Sequence, residues 1–177
     1  MHAMGDPAQL AGSLRAVLAV TATPAAPLRA PAPAATPSSP SAPTLPQFDA
    51  AGVAAALGRT GTVDGGVYKV TAARTDTITE GGRVLPAGTG VTTAVNFQPL
   101  GGGRAAANGD IVMTAPEVQK VIAALRGGGV QIVEVHNHGL AEQPRLFYLH
   151  FWGNDDAVTL ARSLRPALDA TNLRPGP

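Results

Sequence analysis

The chain has 177 residues, enough for one domain of ordinary size and an appendage, because domains usually span about 100 to 150 residues. A formal net charge of +1 and 14% charged residues provide no basic surface of the kind that neutralises phosphates, so nucleic acid is not an expected partner. The lack of cysteine excludes disulfides, thiolate metal sites, catalytic thiols and a lipidated cysteine, and no run reaches the roughly 18 apolar residues of a membrane span.

The first 46 residues differ in composition from the rest of the chain. They contain nine of the 16 prolines, in runs such as PAAPLRAPAPAATPSSPSAPTLP, and few large apolar side chains. Such a segment cannot bury enough apolar surface to fold, so residues 1–46 are predicted to form an extended, disordered tether. The short apolar run of LRAVLAVTATPAA after Arg15 has features of a weak export signal, which favours a secreted or envelope protein. A disordered tail on a cytoplasmic protein is the alternative.

From Gln47 onward the pattern indicates one folded domain, residues 47–177. FDAAGVAAALG predicts a short helix that is capped by Asp49 and ends at Gly58. Strand patterns follow in GVYKVTAA, VTTAVNFQPL and AAANGDIVMT, while Pro86 and the glycines of GRVLPAGTG mark a turn or an edge strand. These segments predict an antiparallel meander.

The C-terminal part is predicted to be a helix–hairpin–helix unit. TAPEVQKVIAALRGGG predicts a helix capped by Thr114, with Pro116 and Glu117 in the first turn. VQIVEVHNH and RLFYLHFWG predict two strands joined by a polar loop, and DDAVTLARSLRPALDAT predicts a closing helix that contains Pro166. Since the helices are segregated from antiparallel strands, the predicted fold class is α+β, with the helices packed on one face of the sheet.

Three of the four histidines lie within fifteen positions of this hairpin. Side chains alternate along a strand, so each strand separates into a polar set and an apolar set. The polar sets are Glu134, His136 and His138 on the first strand, and Tyr148, His150 and Trp152 on the second. The apolar sets are Val133 and Val135 on the first strand, and Phe147, Leu149 and Phe151 on the second. If the apolar sets pack on the helices, His136 lies across from Tyr148 or His150, and the three imidazoles converge on the other face.

Imidazoles grouped in this way suit a metal ion. Three histidines and one carboxylate are suitable ligands for zinc first, and also for manganese, iron or copper, with a coordination position left open. The spacing of His136, His138 and Glu142 is similar to the first metal motif of cupins, although only a helix follows where a cupin has its fourth ligand. The predicted metal ligands are therefore His136, His138, His150 and Glu142, with Glu134 as a second nearby carboxylate. A bound ion acts as a Lewis acid or lowers the pKa of a bound water.

Two other interpretations of the same residues stay open. In a metal-free enzyme, one histidine is the general base, a second is the general acid, and Arg145 or Tyr148 anchors an anionic group. In a purely structural interpretation, the histidines are partly buried hydrogen-bonding residues. As a further alternative to an enzyme acting on a small molecule, the domain is a non-catalytic binding module for a metal or small ligand.

Other polar residues carry less functional weight. Asp110 is a candidate for orienting an imidazole, although NGD favours a turn. Arg74 and Asp76 are predicted to pair at the end of a strand. The glycine-rich stretch PLGGGRAAANG lacks the Lys-Ser/Thr pair and the following helix of a phosphate-binding loop.

Three segments also resemble a known bacterial family over about residues 58–168. GVYKVTAARTD, GDIVMTAPEVQKVIAALRGGGVQIVEVHNH and EQPRLFYLHFWG are similar to the domain-of-unknown-function family named for the LppY and LpqO lipoproteins. The positions that match its histidine motif are His136, Asn137, His138, Glu142, Pro144, Arg145 and His150. The resemblance implies a secreted or envelope protein and relatives that carry the unit twice. A single copy favours a homodimer that replaces the missing half.

Overall fold

The computed structural model describes residues 5–21, 45 and 47–176. The chain divides into two compact units, Met1–Ala42 and Pro43–Pro177. None of the helices in these described ranges is long and apolar enough to cross a bilayer.

The described part of the first unit contains one helix, α1 (Pro7–Ala19), which the prediction of an extended tether misses. Asp6 caps the helix by accepting hydrogen bonds from the backbone N–H groups of Ala8 and Gln9, and Pro7 occupies the first turn. These two residues, followed by a run rich in Ala and Leu, favour a helix even though α1 buries none of its side chains. The start of the predicted export signal falls in α1, and residues 22–44, with most of the predicted tether, lie outside the described residues.

The second unit contains three helices and two sheets. The helices are α2 (Ala50–Leu57), α3 (Ala115–Gly127) and α4 (Ala157–Asp169). The strands are β1 (Thr62–Asp64), β2 (Val67–Ala73), β3 (Thr79–Glu80), β4 (Arg83–Val84), β5 (Thr92–Gly101), β6 (Arg104–Thr114), β7 (Gln131–His136) and β8 (Leu146–Asp156). A 3-10 turn covers Ala87–Thr89. The predicted α+β class is confirmed.

Six strands form one antiparallel sheet in the order β1-β2-β5-β6-β8-β7, and β3 and β4 form a separate hairpin. The sequence misses β1 because three residues are too few to show alternation. The predicted capping residues are confirmed: Asp49 caps α2, Gly58 ends it with a left-handed φ of 72°, and Thr114 caps α3. Glu117 completes a capping box with Thr114, which was not predicted. Pro166 lies inside α4, as predicted.

The main core lies between the three helices and one face of the sheet, called here the inner face. Phe97, Ile111, Leu149 and Phe151 are fully buried there, against Leu164 and other apolar residues of the helices. The predicted packing of the Leu149 and Phe151 side of β8 on the helices is therefore confirmed. Among the described residues of the second unit, no helix packs on the opposite, outer face of the sheet.

One end of the outer face is covered by the segment that contains β3 and β4. Ile78, Leu85 and Val91 of this segment pack against Val112, Leu146 and Tyr148 of the sheet. Thr79 also forms two backbone hydrogen bonds with Gln143, which ties the segment to the loop between β7 and β8. The histidines lie where this cover ends.

Candidate functional site

The strand register brings the polar residues of the hairpin onto the outer face. His136 lies opposite Tyr148, and Glu134 lies opposite His150, because β7 and β8 are antiparallel neighbours. On the other side of β8, His150 lies opposite Asp110 of β6. Residues that face one another in antiparallel strands project to the same side of the sheet, so two carboxylates flank the imidazole of His150.

The three imidazoles are close to one another. The ring centroid of His136 is 4.8 Å from that of His150 and 4.9 Å from that of His138. His138, in the loop after β7, stacks on the Tyr148 ring at 3.5 Å between centroids. The Tyr148 phenol therefore forms the floor beneath His138.

Two backbone carbonyls fix the orientation of two of these rings. Nδ1 of His150 lies 3.1 Å from the carbonyl oxygen of Gly109, and Nδ1 of His138 lies 3.3 Å from that of Gly90. A carbonyl oxygen only accepts, so in each ring the proton resides on Nδ1 and the lone pair on Nε2. Metal-binding histidines are commonly held by such a second hydrogen bond.

Each of these Nε2 atoms faces a carboxylate at a distance too long for a hydrogen bond. Nε2 of His150 lies 3.7 Å from Oε1 of Glu134, and the same oxygen lies 3.6 Å from Nδ1 of His136. Nε2 of His138 lies 3.6 Å from Oδ2 of Asp110. Donor atoms of Glu134, His136 and His150 all lie within 4.8 Å of one another, which makes this group the candidate metal ligands.

Several buried polar atoms at the site lack a hydrogen-bond partner among the described residues. They are Oδ1 of Asp110, Nδ1 of His136 and Oε2 of Glu142. An unpartnered buried polar atom costs about 1 to 3 kcal/mol, so such an atom is usually satisfied by an ordered water, an ion or a ligand. Two of the three atoms belong to the outer-face residues next to His150.

Burial sets the protonation of the Asp110 and His138 pair. Burial raises the pKa of Asp110, although the positive charges of His150 and His138 act to lower it. Burial also lowers the pKa of His138, and this outweighs the attraction of Asp110. Both shifts disfavour the charged forms, so the contact is not a strong ion pair. A neutral His138 imidazole is the form that binds metals.

Glu142 and Arg145 occupy the connecting loop and contact each other. Oε1 of Glu142 accepts a hydrogen bond from the backbone N–H of Leu146 at 3.1 Å, and Nη1 of Arg145 donates to the carbonyl of Leu140 at 2.6 Å. The structure groups Glu134, and not Glu142, with His136 and His150. Glu142 therefore stabilises its own loop by binding the Leu146 N–H, which the spacing shared with the cupin motif did not predict.

Tyr148 lies below the site rather than at its entrance. Its side chain is only 1% exposed, and burial, together with the charges of Glu142 and Asp110, raises its pKa to about 12. Near neutral pH its hydroxyl therefore keeps its proton and can donate a hydrogen bond, but it cannot serve as a base.

Two details of the sequence interpretation are wrong. The NGD stretch lies inside β6 and not in a turn. The period-two alternation of Asn108, Asp110 and Val112 is the sequence signal that would have placed Asp110 on the outer face. Val133 does not share the face of Val135, because the register shifts between Ile132 and Glu134 and leaves Val133 64% exposed. Val133 instead lines a cavity beside His150.

Comparison with known proteins yields a family but no close relative. A family model described as Domain of Unknown Function (DUF1259) matches residues 51–170, which include every residue of the site. Neither the curated proteins nor the solved structures contain a match.

Proposed function

The chain belongs to the family described as Domain of Unknown Function (DUF1259), and because this description assigns no activity, we propose from the site geometry that the domain binds a divalent transition-metal ion. The proposed ligands are Glu134, His136 and His150. Zinc is the expected ion, and manganese, iron and copper are compatible with the same nitrogen and oxygen ligands.

One observation carries the proposal: a carboxylate oxygen and two imidazole nitrogens lie about as far apart as the ligand atoms of one metal ion do. Oε1 of Glu134 lies 3.7 Å from Nε2 of His150 and 3.6 Å from Nδ1 of His136. Ligand atoms bound at about 2.0 to 2.2 Å to a tetrahedral ion lie about 3.3 to 3.6 Å apart. Because Nδ1 of His150 carries the ring proton, its Nε2 repels the carboxylate unless a cation or a second proton lies between them.

The position of the ligands favours an accessible ion over a sealed one. Three protein ligands leave a coordination position for water or substrate, as in catalytic zinc sites. A cavity of about 320 Å³, lined by His150 and Asp110 among others, adjoins this position. An ion here would polarise a substrate oxygen or activate a water, and the free oxygen of Asp110 is placed to accept the proton. The proposed activity is metal-assisted chemistry on a small molecule.

A non-catalytic binding module is the second candidate, and it depends on His138. The ring of His138 lies 4.9 Å from that of His136, so a modest movement would make it a fourth ligand that closes the site. In a closed site, His138→Ala would weaken zinc binding as strongly as His150→Ala. In an open site, His138→Ala would change the zinc affinity by less than about tenfold, the low end for residues outside the ligand shell.

The first prediction concerns metal binding by the full-length protein, which is prepared without a histidine tag. After removal of metal with EDTA, isothermal titration is expected to show one zinc ion per chain, and zinc at about 100 times its Kd should stabilise the fold by about 2.7 kcal/mol. His150→Ala and Glu134→Gln should each lose at least about 100-fold in affinity, more than changes outside the ligand shell cause. Glu80→Gln on β3, outside the ligand group, is the matched control and should bind as the wild type does.

If zinc produces neither heat nor thermal stabilisation, the metal proposal is wrong. The acid–base alternative then becomes the leading one, with a histidine and Asp110 exchanging protons and with Arg145 as a hydrogen-bond donor to the substrate. The buried Tyr148 then supports His138 from below and does not contact the substrate. Unchanged zinc affinity in both variants would likewise contradict the ligand assignment.

The second prediction concerns Asp110, for which we expect opposite effects on stability and on binding. Its carboxylate is partly buried, and its Oδ1 is fully buried with no partner in the described part of the chain. In EDTA, Asp110→Asn should raise the free energy of unfolding by about 1 kcal/mol, because the uncompensated buried charge is removed. With zinc present, the variant should gain less stability than the wild type, since a negative charge next to the ion is lost. Urea denaturation with and without zinc measures both effects, and a variant less stable in EDTA would contradict the argument.

The narrower likeness to the LppY and LpqO lipoproteins, the secreted or envelope location and the homodimer belong to the proposal as well. They are supported by the resemblance of the motif segments described above.

A further inference from the structure

Beyond the histidines, the outer face continues as a groove that no other described segment of the second unit covers. Two adjoining cavities, of about 320 Å³ and about 600 Å³, share Asn96, Asn108 and Trp152 in their linings. The first reaches His150, and the second extends to Lys69 and Gln98. The five residues Lys69, Asn96, Gln98, Asn108 and Trp152 define what is called here the amide–tryptophan groove.

Strand pairing aligns four of these residues in a row. Lys69 lies opposite Asn96, Asn96 opposite Asn108, and Asn108 opposite Trp152, so all four project from the same face of β2, β5, β6 and β8. His150 is two residues from Trp152 along β8, which is about 6 to 7 Å in a strand. The row therefore runs parallel to the row that contains the proposed metal ligand His150.

Within the five residues of the groove, the two asparagines are paired and the one charged residue, Lys69, has a partner. Asp110 lies beyond them, at the His150 end of the first cavity. Nδ2 of Asn96 donates to Oδ1 of Asn108 at 3.0 Å. Since each amide carries one oxygen and one NH2 group, this bond leaves the Asn96 oxygen as an acceptor and the Asn108 nitrogen as a donor. The ammonium group of Lys69 is bound to the carboxylate of Asp64 at 2.5 Å, so its charge is already neutralised.

Trp152 supplies the apolar part of the groove. Its side chain is 42% exposed on the outer face, between the amides and the edge strand β7. An exposed indole presents a flat apolar surface, and such surfaces with a few well-placed polar groups are typical of small-molecule sites. A matching ligand has a flat C–H face and groups that both donate and accept hydrogen bonds, and it carries no net charge.

We propose that the amide–tryptophan groove binds a neutral saccharide chain, with one sugar ring stacked on Trp152 and its hydroxyls bonded to Asn96 and Asn108. Each hydroxyl both donates and accepts, which suits the free oxygen and nitrogen of the amide pair. A chain bound in this way places its next sugar unit beside His150. The saccharide is then also the substrate class of the proposed metal centre, and this last step rests on the proposed function while binding in the groove does not.

The sequence contains a single tryptophan, so its fluorescence reports directly on the groove. The full chain in EDTA is titrated with cellohexaose, maltohexaose and chitohexaose, which are neutral, and with hexagalacturonate, which is anionic. We expect at least one neutral hexasaccharide to shift the Trp152 emission with saturation at concentrations up to about 10 mM, enough to fill a site of millimolar affinity. Hexagalacturonate should bind at least tenfold more weakly.

Variants separate the groove from the metal centre. The double variant Asn96→Ala and Asn108→Ala keeps the Trp152 reporter and should lose about tenfold or more in saccharide affinity, with far-UV circular dichroism unchanged. Lys120→Met, at an exposed lysine on α3 and so on the other side of the sheet, is the control and should stay within about twofold of the wild type. Glu134→Gln, at a proposed metal ligand that lines neither cavity, should keep saccharide binding while losing zinc binding.

Three results would overturn the saccharide assignment. The first is no response to any of the three neutral hexasaccharides, and the second is preferential binding of hexagalacturonate that Lys69→Met abolishes. The third is an emission shift that follows dimerisation in light scattering rather than added sugar, which would make a second copy the occupant. Zinc binding without saccharide binding refutes only the groove, and saccharide binding without zinc binding refutes only the metal centre.

Discussion

Replacing Arg74 by Met is expected to lower the free energy of unfolding by about 3 kcal/mol or more, because it leaves a buried carboxylate without its partner. The Arg74 side chain is 2% exposed, and its guanidinium donates to Oε2 of Glu117 at 2.7 Å and to Oδ2 of Asp76 at 2.6 Å. Nη1 also donates to the carbonyl of Val112 at 3.0 Å. The variant therefore loses one cation and leaves three acceptors without its donors, two of them on partly buried carboxylates. Urea denaturation at pH 7 measures the effect.

The pH dependence of this loss follows from Glu117. Burial alone would raise its pKa, but hydrogen bonds from Arg74 and from the backbone N–H groups of Thr114 and Asn172 outweigh burial and lower the pKa below its ordinary value of 4.5. A carboxyl group with a lowered pKa stabilises the fold above its unfolded pKa, and this contribution disappears as the pH falls through the folded pKa. The difference between wild type and Arg74→Met should therefore shrink as the pH falls below about 4.

Two controls distinguish a lost buried ion pair from a general loss of charge. Arg165→Met removes an exposed ion pair with Asp169 on α4 and should cost less than about 1 kcal/mol. Adding Glu117→Gln to Arg74→Met should recover part of the lost stability, because the isolated charge is removed as well. If Arg74→Met is no less stable than Arg165→Met, the network contributes nothing to the fold.

The same network illustrates what the sequence can predict. The pairing of Arg74 with Asp76, two residues apart, was predicted and is confirmed, and so was the capping role of Thr114. The bond between Arg74 and Glu117 joins residues 43 positions apart, and Asn172 adds a further backbone bond to Glu117. No local pattern records such distances, because they depend on how β2, α3 and the C-terminal segment pack.

The candidate site shows the same division between local and long-range information. Alternation along β7 and β8 predicted the apolar side of β8 on the helices and His136 opposite Tyr148 or His150, since period-two patterns are local. The structure pairs His136 with Tyr148. The fate of Glu142 depends on the conformation of a loop, in which it accepts a bond from Leu146. Asp110 enters the site only because β6 pairs with β8, which the interpretation of NGD as a turn obscured.

Close packing explains why a glycine, Gly109, occupies the middle of β6 next to this site. A Cβ atom at this position would lie 2.2 Å from the carbonyl oxygen of Ala94 and 2.8 Å from two ring carbons of Phe151. Both distances are shorter than van der Waals contact permits, and one of the opposing atoms is backbone, which cannot rotate away. Glycine is therefore required at this position because β5 and β6 approach closely over the Phe151 ring, and not because the chain turns there.

Gly109→Ala is accordingly expected to lower the free energy of unfolding by about 2 to 3 kcal/mol, because β5 and β6 must separate or the Phe151 ring must move. The carbonyl of Gly109 also holds Nδ1 of His150, so a shift of this strand disturbs the tautomer that presents Nε2 to Glu134. We therefore expect the variant, while still folded, to bind zinc at least about tenfold more weakly, as for other changes that displace a ligand's supporting group.

Gly127→Ala is the matched control for this substitution. Gly127 lies in the last turn of α3, and a Cβ atom there would meet no atom within 4 Å. Alanine at such a position should leave stability unchanged or raise it by up to about 1 kcal/mol, since it restricts the unfolded chain. Urea denaturation in EDTA and zinc titration of both variants provide the comparison. If Gly109→Ala unfolds at the wild-type urea concentration, β5 and β6 do not pack as closely around Phe151 as the argument requires. If it is destabilised but binds zinc normally, the Gly109 carbonyl does not orient His150.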